Sequence, residues 1–215
     1  MKEDFGTAGF IAMIVFLMLI IAGAKTWHFL TPLPLIVPAI YFAIITAPSR
    51  VQRILAFFRP EKASAGAAYQ AKQSLIAIST GGLFGKGLGR GICKYGHLPE
   101  DTTDFIFAVI AEELGLVGSI LVIGLFIAFT IMGIIVIKRS KDPFAKMLAA
   151  GIVMAISIQA AMNIAVVTVL LPTKGIPLPF VSAGGTSMLL SAGAVGILIN
   201  IARQSQNTPD YLYEQ

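Results

Sequence analysis

Charged side chains are scarce in this sequence, and their scarcity excludes an ordinary soluble domain. Only 13% of the 215 residues are charged, whereas 56% are hydrophobic. A typical soluble domain has about 25% charged residues. Long stretches carry no charge at all, and a stretch of about 20 such residues can cross the hydrocarbon layer of a bilayer as a helix. These stretches are residues 5–24, 26–48, 114–137, 147–173 and 175–202.

Cysteine is almost absent, since Cys93 is the only one. It cannot form an internal disulfide, and no metal-ligand spacing surrounds it. The net charge of +5 comes from 16 basic and 11 acidic residues that flank the apolar stretches or lie between them. Flanking charges of this kind are typical of membrane proteins near anionic headgroups, so we expect no nucleic-acid partner.

The pattern predicts an all-α polytopic membrane protein with about five transmembrane helices in a single membrane domain. Because Glu3 and Asp4 follow Met1 almost directly, a cleavable signal peptide is not expected, and the first helix should stay in the membrane. The predicted helices cover residues 6–24, 27–48, 105–137, 147–170 and 185–202, with a long loop at 49–104 and a polar tail at 203–215.

The long segment 49–104 is not uniform. Residues 51–58 place apolar side chains on one helical face beside arginines, which predicts a helix lying on the membrane interface. Residues 63–71 are small and polar. Residues 75–88 are apolar but run into dense glycine, so we interpret them as re-entrant or packed under a cavity rather than as a sixth span.

Two basic segments, 49–104 and 138–146, are candidates for the cytoplasmic side of the membrane. The long segment carries eight basic residues and the connection at 138–146 carries four. The positive-inside rule is most reliable for short loops, so we place the 138–146 connection and the tail in the cytoplasm. The long segment and the 171–184 loop then lie together outside. The basic residues of segment 49–104 are Arg50, Arg53, Arg59, Lys62, Lys72, Lys86, Arg90 and Lys94. Those of the 138–146 connection are Lys138, Arg139, Lys141 and Lys146.

Polar and glycine residues concentrate in these two outer loops. In the stretch 81–91, glycines alternate with Lys86 and Arg90, a composition suited to a phosphate-containing group; close backbone packing is the more common use of such glycines. If a helix has begun by Asp104, that residue and Glu112 share one face about 12 Å apart. Asp104 and Glu100 also fit first-turn acids that complement a helix dipole. Lys174 lies in a proline-rich loop and fits an interfacial lysine equally well, and Asn163 suits an interhelical hydrogen bond.

Several strings in these loops resemble the signature segments of the SEDS family, which includes FtsW, RodA and SpoVE. They are GGLFGKGLGRG, LPEDTTDFIFAVIAEELG and NIAVVTVLLPTKGIPLPFVSAGGTS, in the family's order and spacing. The opening EDFGTAG and the stretch from Arg50 to Ser79 extend the resemblance over nearly the whole chain. LPTKG at 171–175 is more similar to the FtsW and SpoVE branch than to RodA. The sequence departs from the usual SYGG at Ala183.

The resemblance implies a fold and an activity. The family has ten helices and polymerises lipid II, so the chain corresponds to the last five helices. A naturally split protein, a truncated sequence and a fragment all stay open, and in a split protein a separate N-terminal half would be a partner. Asp104 matches the family's essential loop aspartate, and the resemblance implies a general base there. It also implies a multi-pass protein of the bacterial inner membrane, a class B penicillin-binding protein as partner and a possible Mg or Mn ion. Residues expected to bind substrate are Lys86, Arg90, Glu100, Lys174, Ser182, Gly184 and Gly185.

Two other functions stay open at this point. A flippase for a lipid-linked precursor would use the same charged groups as a path across the membrane, but it would place them near the bilayer midplane. A non-catalytic scaffold for a penicillin-binding protein would need no carboxylate, so Asp104 would be dispensable.

Overall fold

Every regular secondary-structure element in the described part of the chain is a helix. The computed structural model describes residues 5–25, 27, 31–32, 34–35, 38, 41–42, 45–46, 48–58, 65–91, 104–172 and 175–207. Within these ranges there is no strand, which confirms the all-α prediction. The helices are α1 Phe5–Ile21, α2 Pro48–Phe58, α3 Ala65–Gly81, α4 Ile106–Arg139, α5 Pro143–Val167 and α6 Gly185–Asn207.

Three of the described helices, α4, α5 and α6, are long and apolar enough to cross a membrane. α1 is apolar but shorter, with 17 residues. At a rise of about 1.5 Å per residue, each of the three exceeds the roughly 30 Å of a hydrocarbon core. Large apolar side chains such as Leu121, Met132 and Leu189 point outward, and each is at least 60% exposed. An apolar exterior of this kind is the surface that lipid requires. Half of the positions in the predicted helix 27–48 lie outside the described residues.

α4 and α5 form an antiparallel pair at the centre of the fold. Gly133 of α4 lies so close to α5 that a Cβ there would stand 2.4 Å from Val153 Cγ2. The hydroxyls of Thr130 and Ser157 share a hydrogen bond of 2.7 Å across the same interface. α1 packs on α5, and α6 packs on both α4 and α5. The pair is therefore held by close backbone approach and a polar contact, as expected between helices in lipid.

The ends of α5 differ from the predicted range 147–170 for identifiable reasons. α5 begins earlier because Asp142 accepts a hydrogen bond from the Ala145 N–H at 2.8 Å and Pro143 occupies the first turn. It ends earlier because Val169 adopts a left-handed conformation with φ of 58°. The Leu170 and Val169 N–H groups then bond back to the carbonyls of Ala165 and Val166, which closes the helix in a Schellman motif.

The long segment 49–104 contains two helices in its described part. α2 covers the predicted interface helix, and its Phe58 side chain is 73% exposed. α3 includes most of residues 63–71, which composition alone marked only as small and polar; their alanines favour helix. α3 then continues to Gly81, where the chain turns with Gly82 at φ +58°. α2 packs on α3, and α3 packs on α4 and α5.

An apolar cluster lies where α3, the start of α4 and the end of α5 meet. Its buried members are Ala77, Phe105, Phe107, Ala108, Ala160, Val167 and Leu178. Ser74 of α3, which is fully buried, donates a hydrogen bond to the Val167 carbonyl. This cluster fixes the end of the helical pair that carries Asp104.

Candidate functional site

α4 is not one continuous helix. Gly115 has φ 69° and ψ −160°, which are not helical values. This residue separates a short N-terminal part of α4 at 106–114, called its N-terminal half below, from a longer C-terminal part at 116–139. In an unbroken helix the N–H groups of residues 116 and 117 would bond to the carbonyls of residues 112 and 113. Here those groups bond to the glycine-rich segment 82–87 instead. The bonds are Leu116 N to Gly82 O, Val117 N to Leu83 O, Lys86 N to Glu112 O and Gly87 N to Glu113 O, at 2.9 to 3.2 Å.

The glycines of this segment are needed for close approach to α4. A Cβ at Gly81 would stand 1.9 Å from the Ala111 carbonyl oxygen, and one at Gly85 would stand 2.1 Å from that of Glu113. The N–H groups of Gly85, Lys86 and Gly87 all donate to backbone carbonyls. This arrangement favours the packing interpretation of the glycines, because those three N–H groups are already used within the protein.

Lys86 pairs with a buried carboxylate beside the break in α4. Its Nζ lies 2.7 Å from Glu112 Oε1; the side chain of Glu112 is 1% exposed and that of Lys86 is 29% exposed. Glu113 is also buried, and a Cβ at Gly91 would touch both glutamate side chains at 3.0 to 3.1 Å. Lys86, which the sequence predicts to bind substrate, therefore neutralises Glu112 in this structure. Arg90 is exposed.

Asp104 lies at the other end of the N-terminal half of α4, in a turn before the helix begins at Ile106. The predicted common helical face for Asp104 and Glu112 is therefore wrong, because the chain is not yet helical at Asp104. Asp104 is partly buried, and its carboxylate faces the 175–176 loop. A Cβ at Gly175 would stand 2.9 Å from Asp104 Oδ2, so the carboxylate packs directly on the glycine backbone.

Asn163 joins the two segments that meet at Asp104. Its Nδ2 donates to the carbonyl of Asp104 at 2.8 Å and to the carbonyl of Ile176 at 2.7 Å. The side chain is 1% exposed and lies near the end of α5. The sequence predicts a hydrogen bond between helices for Asn163, whereas its bonds go to backbone carbonyls in two loops. Asn163 and Gly175 thus join Asp104 as site residues, and the signal for Asn163 is a polar side chain within the uncharged stretch 147–173.

Ser182 closes the loop that precedes α6. Its Oγ accepts a hydrogen bond from the Leu178 N–H at 2.7 Å, and its own N–H donates to the Leu178 carbonyl. Between them, Phe180 has a φ of 65°, a conformation that favours glycine in a type II turn. The Gly184 N–H donates to the Ser182 carbonyl, and Gly185 is the first residue of α6. The sequence predicts that Ser182, Gly184 and Gly185 bind substrate. Of these, Ser182 is buried, and its hydroxyl group accepts a hydrogen bond within the turn.

Two of the predicted site residues, Glu100 and Lys174, lie outside the described residues. Within the described ranges, no group of three or more His, Cys, Asp or Glu side chains is arranged to hold a metal ion. Asp104 is a hard oxygen ligand, and the divalent cation stays a prediction. Magnesium is commonly held by one or two carboxylates together with substrate phosphates, so the ligand chemistry fits.

Comparison with known proteins gives consistent matches over the chain. A family model described as "Cell cycle protein", of the FtsW/RodA/SpoVE type, matches residues 1–207. A probable peptidoglycan glycosyltransferase FtsW of Coxiella burnetii is 41% identical over 210 residues, covering 96% of this chain and 56% of the relative. The stage V sporulation protein E of Bacillus subtilis is 39% identical over 205 residues, covering 95% of this chain and 55% of the relative. The chain thus spans about half the length of these relatives.

A solved structure shares the fold. It is described as "Structural coordination of polymerization and crosslinking by a peptidoglycan synthase complex", and one of its chains matches with a TM-score of 0.71. The sequence identity is 21%, and the match covers 96% of this chain and 58% of the other.

Proposed function

Because the chain belongs to the FtsW/RodA/SpoVE family of cell cycle proteins, we propose that it forms the Asp104-bearing part of a peptidoglycan glycosyltransferase that polymerises lipid II. The relatives are named for that activity or for sporulation. The observation that carries the proposal is the placement of Asp104, whose carboxylate packs on Gly175 where two signature segments meet. A carboxylate held this way can accept a proton from a substrate hydroxyl bound beside it.

The proposed reaction is an inverting glycosyl transfer. The 4-hydroxyl of one lipid-linked disaccharide attacks the anomeric carbon of another, and Asp104 takes the hydroxyl proton. A new carbon–oxygen bond forms as the bond to the lipid pyrophosphate breaks, and the pyrophosphate leaves with the electron pair. General-base catalysis of this kind typically contributes about 10² to 10⁴ in rate.

Cationic groups would neutralise the pyrophosphate as its charge develops. Arg90 is exposed and suited to that contact, and Lys174 is proposed from its loop position. Lys86 is the weaker candidate because it pairs with Glu112. Glu100, Ser182, Gly184 and Gly185 are proposed to shape the substrate-binding surface. A Mg or Mn ion bound with the pyrophosphate would supply additional charge neutralisation.

We place the reaction at the outer face of the inner membrane. In this topology five helices span the bilayer, residues 49–104 and 171–184 lie outside, and the α4–α5 connection is cytoplasmic. Two features support the arrangement: the connection is short and basic, and Asp104 lies at the opposite end of α4 from it.

The test is glycan-strand formation from labelled lipid II. The chain is assayed alone and together with the N-terminal half of a relative, and each sample is compared with Asp104→Asn. We expect polymer from the wild type and at least a hundredfold less from Asp104→Asn. Asp142→Asn is the matched control. Asp142 is a carboxylate in the α4–α5 connection, at the opposite end of this helical pair from Asp104. Equal polymer from wild type and Asp104→Asn would contradict the proposal.

A scaffold for a class B penicillin-binding protein is the second candidate. An apolar groove of about 570 Å³ lies between α4 and α5, and its walls include the small residues Ala160, Ala161 and Ala165. Small residues allow a further membrane helix to approach closely, so a single-span helix fits this groove. A pure scaffold would support partner binding and growth equally well with Asp104→Asn.

A flippase is less well supported by the geometry. The break in α4 is a feature that transporters also have, and Lys86, Glu112 and Glu113 lie beside it. Transporters place such groups near the bilayer midplane. Here they adjoin one end of the uncharged stretch 114–137, which favours chemistry at the membrane surface.

A further inference from the structure

We propose that Asn163 is a positioning residue for the Asp104 carboxylate. In this inference, which rests on the proposed function, one buried amide sets the separation between the turn before α4 and the 175–176 loop. That separation decides where the carboxylate stands. Asn163 itself does not contact the substrate.

The hydrogen bonds of Asn163 fix its amide in one orientation. Both partners of Nδ2, the carbonyls of Asp104 and Ile176, are acceptors at 2.7 to 2.8 Å. Turning the amide over would place its oxygen against two carbonyl oxygens, which repel it. A carboxylate at this position would also face two carbonyl oxygens. A Leu would leave the buried carbonyl of Ile176 and the partly buried carbonyl of Asp104 without this donor. The site therefore requires an NH₂ group.

The helix that carries Asn163 is firmly held at this level. The neighbouring residues Val166 and Val167 are 2% and 0% exposed. Ser74 of α3 donates to the Val167 carbonyl, which ties the end of α5 to a third helix. A side chain on such an element transmits its position to whatever it bonds, because neither its backbone nor its rotamer is free to adjust.

The carboxylate of Asp104 depends on the separation that Asn163 sets. Asp104 Oδ2 packs on the backbone of Gly175, the residue before Ile176. If the two segments moved apart, the carboxylate would lose that backing and could turn away from the substrate. A displacement of about 1 Å in a catalytic group can reduce the rate by about a hundredfold.

Gln159 provides a matched control on the same helix. It lies one turn before Asn163, and its Nε2 donates to the Pro177 carbonyl at 2.9 Å. It therefore also ties α5 to the 175–178 loop, but it makes no bond to Asp104. Gln159→Leu and Asn163→Leu both remove an amide that bonds this loop, and only Asn163→Leu releases Asp104.

The first measurement is the kinetics of lipid II polymerisation with the companion half present. For Asn163→Leu we expect kcat to fall by about tenfold to a hundredfold with KM within about twofold of wild type. For Gln159→Leu we expect kcat within about threefold of wild type. In an Asp104→Asn background, Asn163→Leu should add little further loss. A rise in KM alone, or equal losses in both variants, would contradict the inference.

The second measurement reports the Asp104–Gly175 separation without activity. Asp104→Cys and Gly175→Cys are combined in a Cys93→Ser background, and copper phenanthroline oxidises the pair. Remaining thiols are counted with a maleimide of high mass. We expect a disulfide to form readily, because Asp104 Cγ lies 3.7 Å from a Cβ at Gly175. Adding Asn163→Leu should slow its formation at least severalfold, and adding Gln159→Leu should not.

The two measurements separate the inference from the proposed function. If Asp104→Asn polymerises lipid II like the wild type, the proposed function fails whatever the cross-linking rates are. If cross-linking is absent, or proceeds at the same rate with Asn163→Leu as without it, the positioning role fails even when the polymerase assay succeeds. Size-exclusion chromatography and thermal unfolding in detergent confirm that each variant is folded before either comparison.

Discussion

At the scale of single residues, Gly175 matters because it has no Cβ atom, which leaves room for the Asp104 carboxylate against its backbone. The sequence marks Lys174 in this loop as a candidate and predicts that the loop and the segment that carries Asp104 lie on the same side of the membrane. Contact between the two segments does not follow from the sequence, because 71 positions separate residues 104 and 175 and spacing alone does not give distances in space. The resemblance to the SEDS family identified Asp104, but only the structure identified its neighbours Gly175 and Asn163.

We predict that Gly175→Ala lowers polymerisation without unfolding the protein. The added Cβ would stand 2.9 Å from Asp104 Oδ2, so the carboxylate must move. We expect kcat to fall by about tenfold or more, measured on lipid II with the companion half present. Gly193→Ala is the control, because a Cβ there meets nothing within 4 Å. Wild-type kcat in Gly175→Ala would show that this contact does not matter.

We predict that Lys86→Met destabilises the fold. It leaves the Glu112 carboxylate, 1% exposed, without its cation. Removing one partner of a buried pair typically costs about 3 to 5 kcal/mol, and partial exposure of Lys86 puts the cost near the low end, roughly 3 kcal/mol. Thermal unfolding in detergent measures it. Lys146→Met, at an exposed lysine, should leave the midpoint almost unchanged; a similar shift in both would refute the role of the pair.

At the scale of helices, sequence reasoning located the long elements but not the break in α4. The uncharged stretch and the acidic residues before it predicted a helix at 105–137, and α4 covers Ile106–Arg139. Glycine within a helical pattern is usually tolerated, so Gly115 gave no distinctive signal. The break depends on hydrogen bonds to a segment about thirty residues earlier, and helical periodicity does not contain that information.

We predict that Gly115→Ala destabilises the protein more than any other glycine-to-alanine change tested in α4. A Cβ at Gly115 would stand 2.3 Å from the Gly85 nitrogen, and its φ of 69° disfavours side chains. Gly124→Ala is the control, since a Cβ there meets nothing within 4 Å; alanine should be neutral or stabilising by up to about 1 kcal/mol. Hydrogen exchange should also quicken at the Leu116 and Val117 amides in Gly115→Ala. Equal stability of the two variants would be inconsistent with a required break.

At the scale of the whole molecule, composition was enough to assign an all-helical membrane protein, whereas topology rests on a choice between two basic segments. Three described helices are long and apolar enough to span. The complete count of five and the outside location of residues 49–104 stay predictions, because charge counting and loop length point in opposite directions. The length of the relatives adds a further expectation, namely that a second half completes the substrate site.

We predict that cysteines on the two sides of the membrane differ in accessibility. In a Cys93→Ser background, His97→Cys should react with a membrane-impermeant maleimide in intact cells, whereas Lys141→Cys should react only after the cells are permeabilised. Lys141 is exposed in the α4–α5 connection, so lack of reaction would reflect its side of the membrane rather than burial. The reverse labelling pattern would invert the topology and place Asp104 inside.

The bonding between α4 and the 82–87 segment limits where this protein can be altered in length. Surface loops usually accept insertions because their backbone contacts water. This segment instead supplies both donors and acceptors to a neighbouring helix, in the order of its own sequence. One residue inserted after Leu83 would shift Lys86 and Gly87 by one position and mismatch their pairing with Glu112 and Glu113, while Gly82 and Leu83 kept theirs. Epitope tags, fluorescent proteins and permuted chain ends therefore belong elsewhere, and natural length variation should be confined to positions outside residues 81–91.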